Sequence, residues 1–423
     1  MKRYEKYKPT GIQWLPEIPE HWKVQRFGSL FKRKVVANDP SKELLSVFLD
    51  RGVIKASESD KRTHQASDDL SKYQLVEPTD FVMNNQQAWR GSVGVSNFIG
   101  IISPAYHLFA MPSCYNPHYA NYLLRDRVMV NLYDMSSKGV GSIQRTLNFN
   151  WLNNGKCILP SITEQNKIVA YLNKRITLIE NCKCQREREL RTLNELKQAE
   201  IASVVTQGLN PDVPMKDSGI PWIGQIPAHW NMIRIKNLLV ESKVKSTDGH
   251  EQSLSLSKAS GIIPYEEKEN RTMQSESLIG AKVVHPGDVV FNRFKARLFA
   301  ISTHNGVVSS DYAVYKGKGR ANLNYLVSLF STEMYRAAFD RKASGIGDGF
   351  SRLYTADLFA MYAIFPPIEE QNAIVEYIES KTNKIDTMIE ALKAEIDRLT
   401  EYKQRLISDV VTGQIDVRGE QIQ

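Results

Sequence analysis

The chain has 423 residues, 42% hydrophobic and 24% charged, the balance of a globular protein with apolar material for two or three cores; disorder, collagen and low complexity are excluded. Lys and Arg number 55 against 47 Asp and Glu, a net charge of +8, and this moderate excess points weakly to a polyanionic partner. The first residues, Met-Lys-Arg-Tyr-Glu-Lys-Tyr-Lys, lead into no apolar run, so no secretory signal is expected, and 18 apolar residues never follow one another. Cys114, Cys157, Cys182 and Cys184 lack the spacing of a zinc site and are expected as free thiols in a reducing cytoplasm. Nine Lys or Arg oppose Glu5, Glu17 and Glu20 within the first 34 residues, which suits a phosphate-facing patch or a solvated terminus equally.

Gly11-Ile12-Gln13-Trp14 runs on to Ile18-Pro19-Glu20-His21-Trp22. Up to about residue 160, short apolar alternations such as Asp80-Phe81-Val82-Met83 stand among Gly, Ser and Asn-rich turns, the pattern of a β-rich α/β globule. Pro160 marks a boundary, and from Glu164 to Gln207 the apolar residues Leu172, Ile176, Ile179, Leu190, Leu193 and Val204 fall on one helical stripe, ended by Gly208. Lys183, Arg186, Lys197 and Glu200 interrupt it.

The chain then repeats itself. Trp14 and the Ile-Pro-Glu-His-Trp segment recur 208 residues on as Trp222 and Ile226-Pro227-Ala228-His229-Trp230, and Val76-Glu77-Pro78-Thr79-Asp80 recurs as Val284-His285-Pro286-Gly287-Asp288. Beyond a two-residue loss, Gly100-Ile101-Ile102-Ser103 with Tyr106 matches Gly306-Val307-Val308-Ser309 with Tyr312. Glu164-Gln165-Asn166 likewise matches Glu370-Gln371-Asn372 at an offset of 206. After Pro366 a second helix carries Ile378, Ile385, Ile389, Leu392, Ile396, Leu399, Leu406 and Val410 as a heptad seam, with Thr382 and Lys403 in its remaining positions and Gly413 at its end. Each helix, about 43 residues, spans roughly 65 Å, and the two should pair as an intramolecular antiparallel coiled coil. The expected architecture is α/β (α+β). Two repeated globules occupy residues 1–158 and 214–364, and helical regions occupy 159–213 and 365–423. The order is cyclic, so the termini should lie close together.

The duplicated Gly-Ile-x-Trp…Ile-Pro-x-His-Trp segments, Pro-x-Asp strands and Glu-Gln entries into long helices resemble the specificity subunit of a type I restriction-modification system over almost the whole chain. The resemblance implies two target-recognition domains, each binding one half of a split double-stranded DNA site, with the helical regions setting their distance. It further implies a non-catalytic cytoplasmic subunit on which two methyltransferase and two restriction subunits assemble. S-adenosylmethionine, ATP and Mg would then belong to those partners. Consistently, the chain shows neither a P-loop nor the Asn/Asp-Pro-Pro-Tyr/Phe element of amino-methyltransferases. Two alternatives from other classes are a stand-alone Mg-dependent endonuclease and a scaffold that binds no DNA. Pro211-Asp212 with Glu241-Ser242-Lys243 mimics a nuclease pattern but has no counterpart in the first copy.

Residues that read sequence should sit where the copies diverge, because different targets need different side chains on a common frame. The main divergence follows the shared strand: Asn84, Asn85, Gln86, Gln87, Trp89 and Arg90 in the first copy, Asn292, Arg293, Phe294, Lys295 and Arg297 in the second. Amides suit adenine and Arg suits guanine, so these are candidates for base readout. Lys138, Gln144 and Arg145, with Arg352 in the second copy, flank a Gly-rich turn and are candidates for phosphate contact. Trp14, Trp22, Trp222 and Trp230 repeat in both copies and are expected in a shared structural role, as are Ser103 with Ser309 and Tyr106 with Tyr312.

Overall fold

The computed structural model describes residues 2–34, 39, 41–58, 70, 72–139, 145–257, 260–268, 277–294, 298–345 and 351–420. They form two compact units, one built from Met1–Arg186 with Ala394–Gln423 and the other from Glu187–Lys393. The first unit therefore takes both ends of the chain, and the second takes the middle.

In the first unit an antiparallel sheet carries the strands Lys32–Lys34, Tyr106–Ala110, Phe81–Asn84 and Val93–Val95 in that spatial order. The two-residue side-chain period splits its apolar residues between two layers. Phe81, Met83 and Phe109 join the large core under the helices Pro117–Leu124 and Arg127–Met135. Val82 and Leu108 face a smaller cluster with Leu45, Val47, Val53, Val76 and Ile102. The second unit repeats the plan with Leu239–Glu241, Tyr312–Gly317, Val289–Asn292 and Phe299–Ile301. There Val289 and Phe291 face the helices Leu323–Phe330 and Glu333–Lys342, and Val290 and Val314 face Leu254, Leu256, Ile262, Val284 and Val308. Each Pro-x-Asp segment is a tight turn into the central strand, where Asp80 accepts from the Glu77 N–H and Asp288 from the His285 N–H, both at 2.9 Å. The intervening residue has positive φ, 76° at Thr79 and 88° at Gly287. Thr79 is strained where its counterpart is at ease.

The two long helices are Ile162–Gln207 and Ile368–Val411, about 69 and 66 Å long. Gly208 and Gly413 end them in left-handed conformations, φ 84° and 76°. Within the first unit Glu180 meets Lys403 at 2.7 Å and Arg186 meets Glu395 at 3.0 Å. In the second unit Lys197 meets Asp386 at 2.6 Å and Tyr377 donates to Glu200. Rising numbers on one helix against falling numbers on the other mean antiparallel pairing in each unit. Every seam residue named from the sequence is at least partly buried. The interrupting Arg186, Lys197 and Glu200 face the opposite helix and bond across it.

The repeated Glu-Gln-Asn at each helix entrance makes three ties. Glu164 accepts from Tyr4 (2.6 Å) and faces His21 (2.9 Å), while Glu370 faces His229 (2.7 Å) and accepts from Trp230 (2.9 Å). Gln165 and Gln371 are fully buried. Gln165 accepts from the Asn116 N–H at 2.7 Å and donates to the Pro160 carbonyl at 3.0 Å; Gln371 does the same to Asn322 and Pro366 at 2.9 and 2.8 Å. Asn166 and Asn372 accept from the side chains of Asn116 and Asn322, which cap the helices at Pro117 and Leu323. Each globule also grips the far end of the other helix, Tyr119 donating to the Val411 carbonyl (2.9 Å) and Tyr325 to the Val205 carbonyl (3.0 Å). The termini meet, with the Asp416 N–H donating to the Lys2 carbonyl at 2.9 Å.

The repeated tryptophans belong to this frame. Trp22 and Trp230 are fully buried, Trp14 donates to the Val128 carbonyl at 2.7 Å, and Trp222 packs edge-on against Tyr335 at 5.0 Å. All four cysteines are free. No described helix is long and apolar enough to cross a membrane.

Replacing Gln165 by Ala strands the Asn116 N–H and the Pro160 carbonyl, so the first unit should lose about 2–3 kcal/mol. Gln371→Ala should do the same to the second. Urea unfolding followed by hydrogen exchange in each unit reads the two losses separately.

Candidate nucleic-acid interface

In the first unit, Asn84 closes the central strand by accepting from the Gln86 and Gln87 N–H groups at 2.9 and 3.2 Å. This starts the short helical turn Ala88–Arg90, which Gly91 ends at φ 99°. Trp89 is fixed by its indole N–H on the Gln86 carbonyl at 3.0 Å. The Arg145 guanidinium lies over the Trp89 ring at 4.6 Å and pairs with Asp134, and Arg90 approaches the same ring at 5.7 Å. Arg145 adjoins Thr146, the strand partner of Lys138, whose ammonium stands 4.5 Å over Trp151. Two residues before Trp151, Phe149 has Arg33 over its ring at 5.4 Å. Asn85 ties the two sides of this surface together by accepting from the Leu147 N–H at 3.4 Å. The result is three cation–ring groups, Arg33 on Phe149, Lys138 on Trp151, and Arg145 with Arg90 on Trp89, with Gln86 and Arg90 exposed.

The second unit has a related arrangement from other positions. Asn292 accepts from the Phe294 N–H at 2.9 Å, as Asn84 does from Gln86. The Arg352 guanidinium stands 5.5 Å over Phe294 and 5.4 Å over Tyr354. An arginine beyond the Gly-rich turn stacked on an aromatic beyond the central strand thus occurs in both units. Arg293, expected at the readout surface, is turned inward: it is 9% exposed, and its guanidinium is committed to Glu241 and Thr355.

Comparisons with known proteins bear on these surfaces. No family model matches the chain. A curated protein of Methanocaldococcus jannaschii, bearing the name of the type I restriction enzyme MjaX specificity subunit, is 25% identical over 316 residues, covering 71% of this chain and 69% of that protein. The chain is thus similar to a type I restriction specificity subunit over most of its length. Among solved structures, a chain from work on complex assembly and conformational transition of the type I R-M system superimposes with a TM-score of 0.66. It is 14% identical, covering 94% of this chain and 99% of that one, so it shares the fold of two globules and two long helices. The HsdS subunit of Thermoanaerobacter tengcongensis matches at a TM-score of 0.46 and 16% identity, over 94% and 98% of the two chains.

Apart from the inward-turned Arg293, the residues singled out from sequence divide into three groups. Trp89, Arg90, Arg145 and Lys138 come together on the first surface, and Phe294 and Arg352 on the second. Asn84, Asn85 and Asn292 hold backbone, and Gln86 and Gln87 occupy the turn that Asn84 fixes. Gln144, Lys295 and Arg297 lie outside the described residues. Arg33, Phe149 and Trp151 were missed as a group, although Trp151 is 47% exposed; the signal was available, because Trp151 aligns with Asp357 and Arg33 with Glu241, both points of divergence. Glu241, part of the nuclease-like pattern, is spent on Lys282 (3.3 Å) and Arg293. Among the described residues no three His, Cys, Asp or Glu gather in a way that could hold a metal ion.

Beneath the first surface lies His107, 8% exposed, edge-on to Phe149 at 4.6 Å, with neither ring nitrogen hydrogen-bonded among the described residues. Burial, with Arg33 nearby, pushes its pKa down to about 4. The unfolded chain takes up that proton near pH 6.5, so between pH 6.5 and 4 it binds more protons than the folded state, and stability falls as pH falls. His107→Leu should remove on the order of 2 kcal/mol of that acid loss, measured as a flatter urea midpoint against pH for the first unit.

Proposed function

We propose that this chain is the non-catalytic DNA sequence-recognition subunit of a type I restriction-modification complex, each unit binding one half of a split site in double-stranded DNA. The observation that carries it is the arginine beyond the Gly-rich turn, stacked on an aromatic ring in both units and surrounded by side chains that differ between them. A guanidinium on an aromatic face is held at the surface in a fixed plane and presents paired donors, which suits the O6 and N7 acceptors of guanine in the major groove. Lys138, Arg33 and Arg90 add the phosphate attraction that sets register and makes affinity depend on salt. Support also comes from the similarity to a type I specificity subunit.

On this proposal residues 1–158 and 214–364 are the recognition domains, and the helical regions 159–213 and 365–423 determine the spacer. Two methyltransferase and two restriction subunits assemble on the chain, which brings their chemistry to the bound site. Their repeated docking follows from the internal repeat, because a duplicated surface offers the same contacts twice.

Selection of the purified chain, with its methyltransferase partner, against random duplexes should enrich a motif of two short blocks separated by a constant spacer; failure to enrich any sequence would overturn the proposal. Removing one matched heptad from each long helix shortens it by about 10 Å and should shorten the spacer by about three base pairs. Both blocks should stay unchanged, and altered blocks with a constant spacer would show that the helices do not set the distance.

A further inference from the structure

We propose that Glu241 is a positioning residue for base readout by the second unit, acting through Arg293 on Arg352. The inference rests on reading the two stacked-arginine surfaces as the DNA-contacting faces. Arg293 touches the segment just after Arg352 twice, through its backbone and through its side chain. Its carbonyl accepts from the Leu353 N–H at 3.0 Å, and its guanidinium reaches the Thr355 hydroxyl at 3.4 Å while pairing with Glu241. Thr355 is held in turn by the Tyr315 hydroxyl at 3.1 Å. Glu241, on the edge strand opposite Tyr315, anchors this lattice, and Lys282 is its second cation.

The groups around Glu241 show what the lattice leaves over. Burial raises the Glu241 carboxyl, but Thr355, Arg293 and Lys282 outweigh it and hold the group below its usual value. Burial lowers the Lys282 ammonium, and Arg293 and Arg352 add to the depression. Two cations, Arg293 and Lys282, thus share one carboxylate, with Arg352 as a third cation near Lys282. Arg352 is the one without a carboxylate among the described residues; its Nε is buried without a hydrogen-bond partner there, so an acceptor from outside would meet the outer end of this half-buried side chain.

Packing alone does not call for this arrangement, because the first unit fills the same register differently. Arg33, opposite Phe109, stands where Glu241 stands opposite Tyr315. Asn85 stands in place of Arg293 and Phe149 in place of Thr355. The Leu147 N–H, counterpart of Leu353, is taken there by the Asn85 side chain. Two sheets of one topology carry opposite charge at one edge-strand position, exposed as Arg33 and half-buried as Glu241, which is where half-sites of different sequence would be set apart.

The test is selection of the full chain with its methyltransferase partner against duplexes carrying two randomised blocks, comparing wild type with Glu241→Gln, Thr355→Val and Arg352→Ala. Glu241→Gln should lower the preference for a guanine-bearing position in one block by about fivefold or more, matching Arg352→Ala, and leave the other block unchanged. Thr355→Val, which keeps all the charges and the side-chain volume, should lower the same preference by less; it decides the matter if Glu241→Gln does not fold. Unchanged preferences in both blocks, or a uniform loss of affinity without any change in base preference, would overturn the proposal and leave Glu241 a structural residue. No enrichment by the wild-type protein would instead remove the DNA-recognition reading itself.

Discussion

The structure depends on the tie between each globule and the start of its long helix. A helix of this length has no reason of its own to leave a globule in one direction, since its first turn offers unpaired N–H groups and its flank a preceding proline. The buried Gln165 and Gln371 remove that freedom by bonding a carbonyl at the helix entrance and the backbone N–H that caps a neighbouring helix. Glu164 and Glu370 fasten the same turn to the histidines of the repeated His-Trp segments. Because buried amides and carboxylates are expensive to leave unpaired, the direction of departure is fixed by three adjacent side chains in each copy.

Much of the frame could be read from the sequence, because the repeat isolates what both units need. The paired tryptophans, the terminal glycines and the seam residues were legible as structure, and their placement follows from burial and helix geometry. The reason for the Glu-Gln-Asn repeat was not legible, because its partners lie about 50 and 140 residues away. Divergence between copies pointed to the segments that carry the stacked arginines but was a poor guide to individual side chains. Arg293 sits in a polar run and looks exposed; only its pairing with Glu241, 52 residues earlier, turns it inward. Asn84 and Asn292 do not diverge at all, and each closes the same turn.

The two surfaces reach a similar arrangement without using the same positions. Arg145 is stacked on Trp89 and held by Asp134, whereas Arg352 is stacked on Phe294 near the half-buried Glu241 carboxylate and its partners. A common backbone therefore leaves considerable room for change above and just below the sheet edge, while the helix entrances stay constrained. Tolerance and constraint are separated in space, which lets one unit alter its contacts without disturbing the helices.

The closing of the chain on itself has a consequence for synthesis. Leu406, Val410, Val411 and Val417 are buried in the core of the first unit, and at about 1.5–3 kcal/mol for each large apolar side chain their contribution rivals the net stability of a domain. Because these residues follow the second unit in the chain, the first unit cannot be completed until they have been made, whereas residues 187–393 form one continuous stretch that can assemble before them.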